Sequence, residues 1–145
     1  MRYLLMVSHG TLAPGLHSVL KMLSGSCDGV LSCSMEDGMG ADDFVCRLEG
    51  TIAPITSADE VLVLGDIIGG SPLTNTLDTL ARHGLLAKAV AFGGMNLPMA
   101  LTALMGLQTA ELDALRAEML SEGRDAIREV DLAATEDDED DEDDI

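Results

Sequence analysis

Two short segments carry side chains that could do nucleophilic chemistry: Val7-Ser8-His9-Gly10, and Leu64-Gly65-Asp66-Ile67-Ile68-Gly69-Gly70-Ser71-Pro72 near the middle of the chain. An imidazole with an ordinary pKa of roughly 6.5 is about three-quarters neutral at pH 7, so one ring nitrogen keeps a lone pair able to attack phosphorus. A carboxylate that accepts a hydrogen bond from the other ring nitrogen fixes the tautomer and stabilises the cation formed on attack. His9 and Asp66 suit these two roles if the fold brings them together. Gly69-Gly70-Ser71, leading into a helix, offers backbone N–H groups, a hydroxyl and the positive end of the helix dipole, a combination that suits a phosphate group.

Other readings of the same residues are weaker. Ser71, His9 and Asp66 could form a hydrolytic triad, but Ser71-Pro72 lacks the G-x-S-x-G elbow and its hydroxyl is expected to cap a helix. There is no Gly-Lys-Ser/Thr phosphate loop and no G-x-G-x-x-G, so nucleotide binding is not expected. Gly93-Gly94 reads as a plain turn. His17, beside an apolar helix face, and His83, just before Gly84, read as structural.

The elements that must position these residues are legible from their periodicity. Tyr3 to Val7 is a continuous apolar run, as in a strand covered on both faces. Leu12, Leu16, Val19, Leu20 and Leu23 then recur at helical spacing, with Pro14 in the first turn and Gly25 past the end. Val30 to Met35 alternates, with Leu31, Cys33 and Met35 on one face; Ala41, Phe44, Val45, Leu48 and Ile52 follow a helical period that Pro54 ends. Glu60 to Gly65 is a third strand, and Ser71-Pro72 reads as N-cap and first residue of a helix containing Leu73, Leu77 and Leu80. Leu86 to Phe92 is a fourth strand, and Asn96 is expected to cap a helix with Leu97, Leu101 and Leu104. A last helix holds Leu112, Leu115 and Met119, with Glu111 and Asp113 in its first turn, where the dipole favours acids. Residues 126 to 132 fit either an extension of that helix or a short strand.

Strands alternating with helices predict an α/β fold, a doubly wound, mainly parallel sheet with helices on both faces. Ligands of such sheets bind at the carboxyl ends of the strands. His9, Asp66 and the Gly69 to Ser71 turn all fall there.

The chain has 145 residues, one domain's worth, and an aliphatic, Met-rich composition with only Tyr3, Phe44 and Phe92 aromatic. Of its 26 acidic residues nine lie in positions 136 to 145, which contain no base. The other 135 residues carry 17 acids and eight bases, a net charge of −9 within the total of −18. Nucleic acid and anionic membrane surfaces are therefore poor partners. We divide the chain into a domain over 1–132 and an acidic tail over 133–145, expected to be disordered because its carboxylates repel within the ~8 Å Debye length and have little apolar surface to bury. Cys27, Cys33 and Cys46 cannot all pair and show no metal-binding spacing, which suits free thiols in a reducing cytoplasm and predicts neither metal nor cofactor. The opening apolar run is too short for a signal peptide, and no stretch approaches the roughly 20 apolar residues of a membrane span.

Over about residues 1 to 130 the chain resembles the enzyme IIA component of the mannose-type sugar phosphotransferase system. The resemblance lies in a strand ending in Ser8-His9-Gly10, Asp66 after the third strand, Gly69-Gly70-Ser71-Pro72, and Asn96-Leu97-Pro98-Met99 opening the fourth helix. It implies a cytoplasmic phosphocarrier that takes phosphate from the phosphocarrier protein HPr on His9 and passes it to a separate enzyme IIB. Through that partner it would act with the membrane components IIC and IID. Asp66 matches the orienting carboxylate, and Gly70 and Ser71 match the loop that holds the phosphoryl group. The resemblance also implies a homodimer that exchanges an antiparallel edge strand, to which residues 126 to 132 would correspond. Two neighbouring functions share the acceptance chemistry: the phosphodonor subunit of dihydroxyacetone kinase, and a regulatory module that is phosphorylated without onward transfer. The Gly-Gly-Ser-Pro turn favours the sugar branch over the first.

Overall fold

In the computed structural model residues 1–135 are described, so the acidic run at 136–145, most of the expected tail, lies outside the described residues. The elements are β1 (Arg2–His9), α1 (Leu12–Ser24), β2 (Val30–Met35), α2 (Ala41–Thr51), β3 (Glu60–Gly65), α3 (Ser71–Arg82), β4 (Ala89–Phe92), α4 (Leu97–Gly106), α5 (Leu112–Asp125) and a single turn, α6 (Leu132–Thr135). The sheet has the order β2-β1-β3-β4 and every pairing is parallel. This is the expected doubly wound α/β architecture.

The two inner strands explain why both faces are covered. Leu4, Leu5, Met6 and Val7 of β1 are all fully buried, as are Val61, Leu62, Val63 and Leu64 of β3. Successive side chains of a strand point to opposite faces, so the continuous apolar run feeds two cores. Leu4, Met6, Leu62 and Leu64 pack with Ala13 and Leu20 of α1 and with Met99, Ala100, Leu115 and Met119 of α4 and α5. Leu5, Val7, Val61 and Val63 pack with Phe44 and Leu48 of α2 and with Leu73 and Leu80 of α3. Each fully buried Leu contributes about 1.5–3 kcal/mol relative to exposure.

Several helix ends follow the sequence signals. Gly25 adopts φ 76° and its N–H bonds the Lys21 carbonyl, closing α1. The Asn96 carboxamide oxygen accepts from the Met99 N–H at 3.0 Å, and the Glu111 carboxylate accepts from the N–H groups of Asp113 and Ala114.

Three local expectations change. The cap of α3 is Gly70, not Ser71; Ser71 is the first helical residue and its hydroxyl is engaged by Asn75. Only Ala89–Phe92 of the expected fourth strand is extended, because Leu86–Lys88 forms a turn of 3₁₀ helix first. Residues 126 to 132 neither continue α5, which ends at Asp125, nor form a strand within the chain; 127–131 are irregular before α6. The described sheet is wholly parallel, since an antiparallel exchanged strand could only come from a second chain.

The three cysteines are unpaired: Cys46 is exposed, Cys27 half-buried and Cys33 buried. Burial pushes the Cys33 thiol pKa up, against smaller opposing effects of Thr51 and Arg47. Among the described residues no helix is long and apolar enough to cross a membrane.

Candidate functional site

β1 and β3 are neighbours whose chains leave the sheet at the same end, and Val7 stands opposite Gly65 in their register. The residues just beyond, His9 and Asp66, are thereby delivered to one crevice. It lies where the strand order reverses, since β1 connects to β2 on one side while pairing with β3 on the other.

Asp66 grips His9 twice. Its Oδ2 accepts the His9 main-chain N–H at 2.9 Å and contacts the ring Nδ1 at 2.9 Å, while Oδ1 accepts the Ile67 N–H at 2.9 Å. The Asp66 side chain is only 11% exposed, against 48% for His9. Burial alone would raise the Asp66 pKa; the hydrogen bonds from the His9 backbone, the His9 ring and the Ile67 backbone outweigh it and hold the carboxyl below its ordinary value. A carboxylate can only accept, so Nδ1 carries the proton and Nε2 keeps its lone pair. The result is a half-exposed nucleophilic nitrogen on a ring of fixed orientation.

The surrounding turns are rigidly tied. Ser8 is fully buried, and its Oγ accepts the Ala13 N–H at 2.7 Å, fastening the His9-Gly10-Thr11 turn to α1. On the other side the Gly10 N–H bonds the Met35 carbonyl at the end of β2. The Gly94 N–H and Met95 N–H bond the carbonyls of Asp66 and Gly65, each at 3.0 Å, so the turn after β4 braces the turn after β3. Gly93, read from sequence as a plain turn residue, lies under the Ile68 side chain, which occupies the space a Cβ would need.

Gly69 holds φ 83°, a left-handed conformation that favours glycine, and lets the chain turn back into α3. Gly70 needs no such freedom, with φ −75° and ψ 154°. Its requirement is space: a Cβ there would lie 3.0 Å from His9 Cε1. The N-terminus of α3, which no side chain caps, is thus set against the edge of the ring next to Nε2.

All five expected site residues, His9, Asp66, Gly69, Gly70 and Ser71, therefore fall in one cluster of turns. Ser71 does not hydrogen-bond His9; its Oγ accepts from Asn75 Nδ2 at 2.8 Å, and that geometry does not make a Ser-His-Asp triad. His17 and His83 lie elsewhere, bonded to Ser32 Oγ and the Glu49 carboxylate respectively. Ser8 and Asn75 carry no role legible from sequence spacing alone. A polar residue closing an apolar strand, and an amide one helical turn after Ser71, were the available signals.

A doubly wound α/β domain with a carboxylate-bound imidazole at its switch point and a glycine turn set against the ring defines a class of parallel-sheet proteins with a histidine-bearing crevice. Comparison with known families narrows this to one. The family model described as the fructose IIA component of the phosphotransferase system, of the EIIA-man type, matches residues 3–142, and the chain belongs to that family. It is a component of a sugar phosphotransferase system.

Solved structures share the fold. The phosphotransferase system component EIIA from Streptococcus agalactiae is 24% identical, with 92% of this chain and 99% of that one covered at a TM-score of 0.75. The mannose/sorbose-specific IIA subunit from Enterococcus faecalis is also 24% identical, with coverages of 90% and 96% and a TM-score of 0.76. The IIA protein associated with the fucose utilization operon of Streptococcus pneumoniae is 23% identical, with coverages of 88% and 92% and a TM-score of 0.73.

Proposed function

We propose that this chain is a cytoplasmic phosphocarrier that accepts a phosphoryl group from HPr on His9 and passes it to an enzyme IIB. The observation that carries this reading is the pairing of Asp66 Oδ2 with His9 Nδ1, which leaves Nε2 as the nucleophile. In the first transfer the Nε2 lone pair attacks the phosphorus of the donor's phosphohistidine. The new N–P bond forms as the donor's N–P bond breaks, and that electron pair returns to the donor ring. His9 becomes a cationic ring bearing a phosphoryl group, with its Nδ1 proton still held by the Asp66 carboxylate. Gly69 and Ser71 would hold the phosphoryl oxygens through backbone N–H groups, the Ser71 hydroxyl and the dipole of α3, joined by the Gly70 N–H once it leaves the Ile67 carbonyl, to which it donates at 3.3 Å. The second transfer is the reverse attack, by a nucleophile of IIB.

The surroundings of the histidine suit a protein partner. Leu12, Ile67 and Ile68, all close to His9 or Asp66 in sequence, are 49%, 58% and 79% exposed. Glu36, Asp37, Asp42 and Asp43 follow the end of β2, which is tied to Gly10. Apolar side chains at the centre with acids at the margin fit a partner with an apolar patch and a basic rim.

A homodimer with exchanged strands is part of the proposal. Ile127 and Val130 are 78% and 63% exposed in the irregular segment after α5, and β4 is an edge of the sheet. An added antiparallel strand would cover both features. Sedimentation of the full chain and of an Ile127→Asp/Val130→Asp variant tests this: the variant is expected to be monomeric.

Phosphate transfer is tested with labelled phosphoenolpyruvate, enzyme I and HPr, comparing the wild type with His9→Ala. Acid-labile, alkali-stable label that disappears in the variant is expected, and label retained in His9→Ala would sink the assignment. Adding candidate acceptors then separates onward transfer to IIB from transfer to a dihydroxyacetone kinase, or from none.

A further inference from the structure

We infer that Asn75 is a positioning residue that commits the Ser71 hydroxyl to act as a hydrogen-bond donor toward a phosphoryl group on His9, an inference that rests on the phosphocarrier reading above. Asn75 lies one turn along α3 from Ser71 and is half-exposed. One atom of its carboxamide lies 2.9 Å from the Ser71 carbonyl oxygen and 2.8 Å from Ser71 Oγ. A carbonyl oxygen can only accept, so that atom must be the NH₂ nitrogen, which settles the orientation of the amide without seeing its hydrogens. The NH₂ group has two hydrogens, one for each oxygen.

The consequence falls on the hydroxyl. Ser71 Oγ accepts from Asn75, and a hydroxyl that accepts along one direction keeps its own proton to donate along another. A free serine at a helix start would instead turn its oxygen to accept from backbone N–H groups, the capping role that the sequence suggests for Ser71 and that Gly70 fills here without any side chain. A phosphoryl group offers only acceptors. A serine fixed as a donor, directly after the glycine that abuts His9 Cε1, presents the complementary polarity. Asn75 acts through Ser71 and is not itself placed on the phosphate.

The inference is tested with the full chain, HPr and enzyme I, using wild type, Ser71→Ala, Asn75→Ala, Asn75→Asp and the double variant Ser71→Ala/Asn75→Ala. The readouts are the ratio of phosphorylated to unphosphorylated protein at equilibrium with phospho-HPr, and the ³¹P titration of the phosphoryl group, with thermal unfolding as the control for folding. A hydrogen bond to a charged group sets the scale: Ser71→Ala is expected to lower the ratio roughly tenfold. Asn75→Asp should match or exceed that loss, because its carboxylate accepts the Ser71 proton and adds charge of the wrong sign. Asn75→Ala, which frees the hydroxyl without reversing it, should cost about threefold. The phosphoryl titration should move to higher pH in Ser71→Ala and Asn75→Asp, since a lost donor disfavours the dianion.

In the Ser71→Ala background, Asn75→Ala should change nothing further. An Asn75→Asp variant with wild-type ratio and titration, or an Asn75→Ala effect undiminished without the hydroxyl, would overturn the inference. Ser71→Ala indistinguishable from wild type would also overturn it while leaving His9 as the phosphocarrier. A wild-type chain that takes no phosphate on His9 would overturn the phosphocarrier reading, and this inference with it.

Discussion

Asp66 Oδ2 accepts from both the main-chain N–H and the ring Nδ1 of His9, each at 2.9 Å, so one oxygen fixes the position of the residue and the tautomer of its side chain. In Asp66→Asn the carboxamide oxygen can still accept from both His9 donors, but the negative charge is lost and an NH₂ group faces the Ile67 N–H that Oδ1 now accepts. We expect phosphate uptake on His9 to fall about ten- to a hundredfold, the scale of a charge-assisted hydrogen bond, while the thermal midpoint moves little. Rapid-quench labelling beside a melting curve checks this, and equal losses in both would mean that Asp66 is mainly structural.

The close approach of Gly70 to the His9 ring gives a second variant. Alanine is at home at φ −75° and ψ 154°, so Gly70→Ala should fold with nearly the wild-type midpoint. Its Cβ would push on Cε1, and we expect phosphorylation to drop at least tenfold, because displacement of a reacting group by a fraction of an ångström is expensive in rate. Labelling and the ring's NMR shifts report the displacement.

His17 supplies a pH dependence away from the site. Burial, and then the charge of Lys21, hold its pKa below the ordinary histidine value of 6.5, while the ring bonds Ser32 Oγ. The folded state therefore resists a proton that the unfolded chain accepts, so stability present above that value is lost as pH falls through it toward the lower folded pKa. The thermal midpoint should decline as pH falls below about 6.5, and His17→Gln should flatten part of that decline. A parallel decline in both proteins would assign it to other groups.

Asn96 separates structure from chemistry among the motif residues. Its Oδ1 caps α4 through Met99, and its Nδ2 donates to the Gly123 carbonyl at 2.8 Å, tying α4 to α5. Asn96→Ala should cost about 1–3 kcal/mol for the cap and the tether together, measured by urea denaturation. Phosphate uptake at a temperature where the variant is folded should stay close to wild type.

These residues show how far the sequence can be read. The runs Tyr3 to Val7 and Glu60 to Gly65 fit strands covered on both faces, and that pattern, with helical spacing between, predicts a parallel sheet with its crevice at the end that carries His9 and Asp66. The caps at Gly25 and Asn96 were legible because capping depends on a few neighbouring residues, whereas Glu111, expected as a dipole-favoured acid of the first turn, is the cap itself. Nothing local distinguishes Ser71 as a cap from Ser71 as the first helical residue. Gly70 as the cap lies against a ring that arrives from about sixty residues away. The strand order, which places β1 between β2 and β3, and the register that sets Val7 opposite Gly65 were likewise decided only by tertiary packing. Periodicity in one strand says which side chains are buried, but not which strand lies alongside. Residue types and their place after apolar runs name the groups able to do chemistry; the 2.9 Å contact that leaves Nε2 with its lone pair exists only once two distant strand ends are packed side by side.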